Sequence, residues 1–105
     1  MEARREERKI LRCRAIVRFT ADVTMVGKTI DVSRGGVCMM VPEQLNKGQV
    51  CVVRLEPSIA GVPKVINFIA RVAYSICIGV EGFKVGLEIT EMENASIPVL
   101  AQVMR

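Results

Sequence analysis

The stretch "LRCRAIVRF", residues 11–19, determines the type of fold that the sequence predicts. Apolar and polar side chains alternate along it with a period of two, which is typical of a β-strand with one buried face. The inward set comprises Leu11, Cys13, Ala15, Val17 and Phe19, and the outward set comprises Arg12, Arg14, Ile16 and Arg18. We therefore expect a half-buried strand with a basic outer face.

Further short apolar runs follow this strand at the spacing of β-hairpins. They are "VCMMV" (37–41), "QVCVVRLE" (49–56), "KVINFIARVAYSICI" (64–78) and "FKVGLEI" (83–89). Turn-forming residues separate them, as in "NKG" at 46–48. Five or six antiparallel strands of this length favour a small barrel over a sandwich.

The last residues of the sequence change to a helical period. Their apolar side chains recur at i, i+3, i+4 and i+7, namely Ile97, Leu100, Ala101 and Met104. Asn94 or Ser96 can cap such a helix, and Ser96 better suits Pro98 in the first turn. We predict a helix over about residues 94–104 that packs on the barrel or closes one end. A helix that binds a partner is the alternative.

The positive charge of the chain is concentrated at its amino-terminal end. The 105 residues carry a formal net charge of +4, and residues 1–18 hold seven cations against three anions, which accounts for the whole excess. We predict a flexible basic arm over residues 1–10, followed by a single domain over residues 11–105. The arm indicates an anionic partner near this end, and a solubilising tail is the alternative.

The sequence lacks the residues that most catalytic and metal sites need. It has no His, no nucleophile motif and no pair of Cys at metal-ligand spacing, so we expect neither an enzyme nor a metal site nor a resident cofactor. The four cysteines lie in apolar runs, where free thiols pack as small hydrophobes. Reduced cysteines, with no signal peptide and no long apolar span, predict a cytoplasmic protein without a membrane-spanning segment.

The stretch "DVSRGG", residues 31–36, is the first half of a candidate binding site. Asp31 and Ser33 are two residues apart, so in an extended chain both side chains project from the same face. Gly35 and Gly36 permit positive φ or the close approach of another backbone or a ligand. A carboxylate can accept both N–H donors of a guanine Watson–Crick edge, and a hydroxyl adds one adaptable contact. A turn with side-chain caps is the structural alternative.

The stretch "RREER", residues 4–8, supplies the complementary half. A guanidinium can bind guanine O6 and N7 with two hydrogen bonds, stack on a purine, or grip a phosphate. Arg4, Arg5 and Arg8 on a flexible arm can therefore wrap a nucleotide and become ordered when it binds.

Taken together, RR-x-x-R at 4–8, a basic strand, and D-x-S-x-x-G at 31–36 resemble the PilZ domain family. The resemblance covers essentially the whole chain and includes the late hairpin "GVEGFKVGLEI" at 79–89. It implies a six-stranded antiparallel β-barrel with a C-terminal α-helix that binds the bacterial second messenger cyclic di-GMP.

The family's binding motifs can be placed on individual residues of this sequence. The resemblance implies that Arg4, Arg5 and Arg8 take guanine edges, guanine faces and phosphates. It implies that Asp31 and Ser33 read the guanine, with Gly36 completing the motif. Arg8 and Arg12 are also four residues apart, so Arg12 remains open as the second member of the R-x-x-x-R pair or as a flanking residue.

The leading hypothesis is therefore a cyclic di-GMP receptor that relays the signal to a downstream protein. A PilZ-like interaction adaptor that binds no nucleotide is the second hypothesis. A small basic barrel that binds nucleic acid is the third, and the scarcity of aromatic residues, at 4%, argues against it.

Overall fold

The computed structural model describes residues 7–105, which form nine β-strands and one α-helix. The strands are β1 (Lys9–Ile10), β2 (Arg14–Thr20), β3 (Val23–Val32), β4 (Gly36–Val41), β5 (Val50–Glu56), β6 (Ser58–Ile59), β7 (Val62–Pro63), β8 (Ile66–Cys77) and β9 (Phe83–Met92), and the helix is α1 (Ile97–Val103).

Six of these strands close into an antiparallel barrel in the order β3-β2-β5-β8-β9-β4, and β4 pairs back onto β3. The short strands β6 and β7 form a separate hairpin. The prediction of a six-stranded antiparallel barrel with a C-terminal helix is thus confirmed.

The barrel interior is aliphatic, and it follows the alternation seen in the sequence. Ala15 and Val17 of β2 are fully buried, while Leu11, Cys13 and Phe19 are partly buried against the core. The other strands contribute inward residues in the same way, including Val53, Leu55, Ile66, Phe68, Val85 and Leu87. Burial of this apolar surface is the main force that holds the barrel together.

The cysteines carry no disulfide, but they do not all lie in the core. Cys51 is buried, and burial raises the pKa of its thiol to about 11. Cys77 is exposed, so the prediction of four core cysteines is wrong at this position. The reason is that Cys77 ends β8 beyond Val72, the last residue of that strand that reaches the core.

Strand pairing attaches residues 9 and 10, which precede the barrel strands, to β3. In β1, Lys9 pairs with Val32 and Ile10 pairs with Asp31, at the end of β3. The strand β2 pairs with the earlier part of β3 along the same edge. Residues 9 and 10, which were predicted as part of the arm over residues 1–10, belong to the sheet. Residues 1–6 of that arm lie outside the described residues.

A buried hydroxyl joins β1 to β2. Thr29 is 1% exposed, and its Oγ1 accepts the backbone N–H of Cys13 at 2.9 Å and donates to the carbonyl of Leu11. The backbone N–H of Thr29 also donates to the Cys13 carbonyl at 2.9 Å. These bonds fix the chain between the two strands, and β1 keeps its place beside the end of β3.

The C-terminal helix is shorter than predicted and buries a different face. A 3₁₀ turn over Asn94–Ser96 precedes α1, so residues 94–96 are not α-helical. Leu100 and Met104 are buried as expected, but Ile97 is 52% exposed because Val99 and Val103 pack against the core instead. No helix among residues 7–105 is long and apolar enough to cross a membrane.

Ser96 occupies the N-cap position of α1, but its side chain makes no capping bond. Its hydroxyl instead accepts the backbone N–H of Asn67 at 2.8 Å and donates to Glu93 at 2.9 Å. Hydrogen bonds from the side-chain amide of Asn67 and then from the Ser96 hydroxyl, with Arg54 nearby, lower the pKa of the Glu93 carboxyl. Ser96 therefore fastens the helix to β8.

Replacing Thr29 with Val tests how the amino-terminal segment is attached. The variant keeps the shape of the side chain and leaves the buried N–H of Cys13 without its acceptor, which costs about 1–3 kcal/mol of unfolding free energy. We expect denaturant titration to show this loss, and hydrogen exchange to show faster exchange at Ile10 and Leu11. The exposed Thr24 of the same strand is the matched control, since Thr24→Val removes no buried bond. Equal stability of the two variants would contradict this account.

Candidate ligand-binding site

The pairing of β1 with β3 brings Arg8 to the "DVSRGG" turn. The Nε of Arg8 donates to Oδ1 of Asp31 at 2.7 Å, and its Nη1 donates to Oγ of Ser33 at 3.3 Å. The side chains of Arg8 and Asp31 are 43% and 29% exposed. One guanidinium therefore contacts both polar residues of the motif, and part of its surface remains open to a ligand.

The hydroxyl of Ser33 organises the turn between β3 and β4. Ser33 is fully buried, and its Oγ accepts the backbone N–H groups of Gly35 at 3.3 Å and Gly36 at 3.1 Å. The backbone N–H of Ser33 donates to the Gly36 carbonyl at 2.8 Å. A hydroxyl that bonds its own turn in this way sets the turn's shape.

Gly36 is required by close packing rather than by its backbone angles. A Cβ at this position would lie 2.8 Å from the carbonyl oxygen of Leu87 on β9, closer than real side chains come. Neither Gly35 nor Gly36 has a positive φ. The close approach expected from the sequence is therefore present, and the positive φ is not.

Two β-bulges turn the key side chains of the site outward. On β3, two residue steps from Thr29 to Asp31 match one step on β4, and on β8, two steps from Val72 to Tyr74 match one step on β9. Each bulge reverses the inward–outward alternation, because an extra residue shifts the period by one. Thr29 and Val72 consequently face the core, whereas Asp31 and Tyr74 face the same outer groove.

Tyr74 lies across Gly86 in this groove. The two are cross-strand partners, and a Cβ on Gly86 would come within 2.2 Å of the Tyr74 ring. The ring reaches Cys38, whose Sγ lies 3.6 Å from the phenol oxygen. Burial first, and then the contact with Cys38, raise the pKa of Tyr74 to about 12. The phenol is therefore neutral at physiological pH and offers an aromatic face held in a fixed place.

The groove has a volume of about 420 Å³ and runs over the outer face of β3, β4, β9 and β8. Arg8 and Asp31 line one end, Tyr74 and Gly86 form part of the floor, and Lys84 and Glu88 add one charge of each sign. Its size falls within the range of roughly 300–1,000 Å³ that small-molecule sites usually have. Residues 7–105 hold no cluster of three or more side chains suited to a metal ion.

The structure brings together most of the site residues predicted from the sequence. Arg8, Asp31, Ser33 and Gly36 meet at one edge of the groove. Arg4 and Arg5 lie outside the described residues. Arg12 is exposed between β1 and β2 and is not among the described residues that line the groove.

Sequence reasoning missed Tyr74 as a site residue and assigned it to a position typical of the core. Simple alternation along β8 does place it inward, in phase with Phe68, Ala70 and Val72. The bulge at Ala73 reverses that phase, and no turn residue marks the bulge in the sequence. The one available signal was Gly86, a glycine inside a strand, which often indicates a bulge or a close approach.

The barrel and its outer groove define the class of protein: a small closed β-barrel with an open groove, at which an amino-terminal arginine meets a polar turn. The family model for the PilZ domain matches residues 2–105, so the chain belongs to the PilZ domain family. No curated protein sequence gives a significant match.

Two solved structures illustrate the shared fold. The inhibitor of motility MotI/DgrA of Bacillus subtilis superposes with a TM-score of 0.80 at 16% identity, over 97% of this chain and 49% of that one. The present chain thus spans about half the length of that protein. The PilZ domain of YcgR from Escherichia coli, solved with c-di-GMP, superposes with a TM-score of 0.61 at 16% identity, over 95% of this chain and 85% of that one.

Replacing Gly86 with Ala tests the seat of the Tyr74 ring. The new methyl group overlaps the ring, so we expect the ring to swing out of the groove. Tyr74 is the only tyrosine of a chain without tryptophan, and its fluorescence therefore reports on the groove alone. A soluble quencher should act more strongly on the variant than on the wild type, with the far-ultraviolet circular dichroism unchanged. Equal quenching in both proteins would show that the ring does not rest on Gly86.

Proposed function

We propose that the chain is a receptor for cyclic di-GMP, which binds in the groove between Arg8 and Tyr74. The observation that carries the proposal is the pair of bonds from the Arg8 guanidinium to Asp31 and Ser33. These residue types match what a guanine nucleotide needs, namely a cation for its phosphate or purine face and an acceptor for its base edge.

Asp31 is the proposed acceptor for the guanine edge. Its carboxylate has two oxygens with about four acceptor positions, and the Arg8 bond uses one of them. The side chain is 29% exposed and lines the groove, which leaves acceptor positions for the two adjacent N–H donors of guanine. The ion pair with Arg8 keeps the carboxylate oriented before the ligand arrives.

The sequence led us to expect that Ser33 contacts the guanine base. We now propose a different role for this residue. It is fully buried under its own turn and bonds Arg8, so it supports the proposal as a positioning residue. In this account the Ser33 hydroxyl sets the turn and the direction of the guanidinium, and Asp31 makes the contact with the base.

Arginine donors beyond the two bonds described remain for the phosphates. A guanidinium has five N–H donors, and Arg8 uses one for Asp31 and one for Ser33. We propose that Arg4 and Arg5 add further cations, since residues 1–18 carry the whole net charge of the chain. The charge favours a dianionic nucleotide over a neutral ligand.

Tyr74 is the proposed stacking surface of the groove. Its ring is held flat over Gly86, is 39% exposed, and lies in the groove that Arg8 also lines. A purine inserted between an aromatic ring and a guanidinium gains stacking on both faces. The remaining aromatic side chains of residues 7–105 are buried or half-buried, and this argues against a single-stranded nucleic-acid surface, which needs a series of exposed rings.

The proposed output is a change in the surface that a downstream protein recognises. Arg4 and Arg5, which are proposed to fold over the ligand, lie shortly before Arg8 in the sequence. Ligand binding would therefore alter the outer face of β3, β4 and β9 next to it. An adaptor that binds no nucleotide is the competing function, and the intact Arg8–Asp31–Ser33 cluster favours the receptor.

Titration calorimetry with cyclic di-GMP tests the proposal. We expect Arg8→Ala and Asp31→Ala each to weaken binding by about 2 kcal/mol, roughly 30-fold, because each removes a charged hydrogen bond to the ligand. Arg12→Ala tests whether the R-x-x-x-R pair is Arg4 and Arg8 or Arg8 and Arg12. A small effect of this change on the affinity would assign the pair to Arg4 and Arg8.

Arg105→Ala, at an exposed position remote from the groove, is the matched control and should bind like the wild type. Circular dichroism checks that every variant is folded. Absence of heat with the wild type at tens of micromolar would reject the receptor and leave the adaptor. Normal affinity in both site variants would reject the groove as the site.

A further inference from the structure

The outer face of β2, β5, β8 and β9, at the ends of β8 and β9 away from the groove, carries an ordered row of side chains. Strand register aligns Arg18 of β2 with Val52 of β5, Val52 with Ile69 of β8, and Ile69 with Glu91 of β9. All four side chains point outward, and Val52 is 40% exposed. We call this set the Arg18–Glu91 row. Across the four neighbouring strands, its side chains are in turn basic, apolar, apolar and acidic.

Two shallow depressions lie on either side of the centre of this row. The basic depression, of about 280 Å³, is lined by Ile16, Arg18, Thr24, Val52, Arg54 and Asn67. The acidic depression, of about 250 Å³, is lined by Val52, Asn67, Ile69, Glu91 and Glu93, among others. The two depressions share Val52 and Asn67, so they are adjacent. They are also similar in size and carry side chains of opposite charge.

The charged ends of the row do not neutralise each other within one chain. Three strand spacings of about 4.8 Å separate β2 from β9, so Arg18 and Glu91 lie roughly 14 Å apart along the curved barrel wall. Neither residue forms an ion pair with any of the residues 7–105. Each is therefore available to a charge supplied from outside the molecule.

A two-fold axis that runs parallel to the strands, between β5 and β8, makes this face complementary to itself. By the register of the row, rotation about that axis would bring Arg18 opposite the partner's Glu91 and Val52 opposite the partner's Ile69. It also places the Arg54 guanidinium over the partner's Asn67, and the basic depression of each copy over the acidic depression of the other.

We propose that this face is the interface of a symmetric homodimer, with a second copy of the chain as its occupant. A two-fold dimer needs one self-complementary patch, and the row meets this condition in both charge and apolar centre. A polyanion such as nucleic acid would meet the acidic half of the face and be repelled by it. The interface and the groove use opposite ends of β8 and β9, so one molecule can engage both.

Sedimentation velocity of the full chain over a concentration series tests the dimer. The series should reach roughly 1 mM, since a face of this size gives a weak dimer. We expect a monomer–dimer equilibrium for the wild type. Arg18→Glu and Glu91→Arg should each weaken self-association at least tenfold, because each change places like charges together at two symmetric contacts.

The decisive measurement mixes the two single variants. In a mixed dimer, one copy contributes two acidic residues and the other two basic residues, so both contacts become attractive again. We expect the equimolar mixture to recover wild-type association while neither variant associates alone. Lys47→Glu reverses an exposed charge in a loop outside the row and should leave association unchanged.

Three results would overturn the proposal. The first is a wild type that stays monomeric over the whole series, which would exclude the dimer. The second is a mixture that associates no better than its components, which would exclude the Arg18–Glu91 contact. The third is a loss of association in Lys47→Glu as large as in the row variants, which would show that the effect comes from net charge.

Discussion

The site depends first on the attachment of the amino-terminal segment to β3. The buried Thr29 hydroxyl holds the chain at Leu11 and Cys13, and the pairing of β1 then aligns residues 9 and 10 with the end of β3. In this register Arg8 reaches Asp31 and Ser33. A buried side-chain hydroxyl in the barrel wall thus determines the position of an exposed cation, and the ligand chemistry proposed for the groove follows from that position.

The second constraint is that the barrel keeps its apolar core while the polar side chain of Asp31 and the aromatic side chain of Tyr74 point outward. The bulges on β3 and β8 shift the alternation by one residue at Asp31 and Tyr74, and the neighbouring Thr29 and Val72 remain inside. Gly86 then leaves room for the Tyr74 ring. The groove is therefore made by local defects in a regular barrel, and the apolar interior on which stability depends is not interrupted.

Much of this arrangement could be predicted from the sequence, and the remainder has a physical reason. The alternation of residues 11–19 predicted the strand, and the spacing of later apolar runs predicted the barrel. The "DVSRGG" turn and Arg8 were identified by their chemistry. Tyr74 was missed because its bulge lies in an ordinary β-branched strand, and the exposure of Ile97 was missed because helical periodicity does not determine which of two overlapping apolar faces meets the barrel. The role of Ser33 depended on its burial, which its residue type does not specify.

The central claim is that Arg8, the "DVSRGG" turn and Tyr74 form one ligand site on the outer face of the barrel. Mapping of amide chemical-shift changes by NMR during addition of cyclic di-GMP tests this most directly. The account predicts that the largest changes fall on residues 8–10, 31–38, 73–74 and 84–88, which come together only in the folded groove. Changes that concentrate on other strands, or that are confined to the amino-terminal segment and spare β8 and β9, would contradict it.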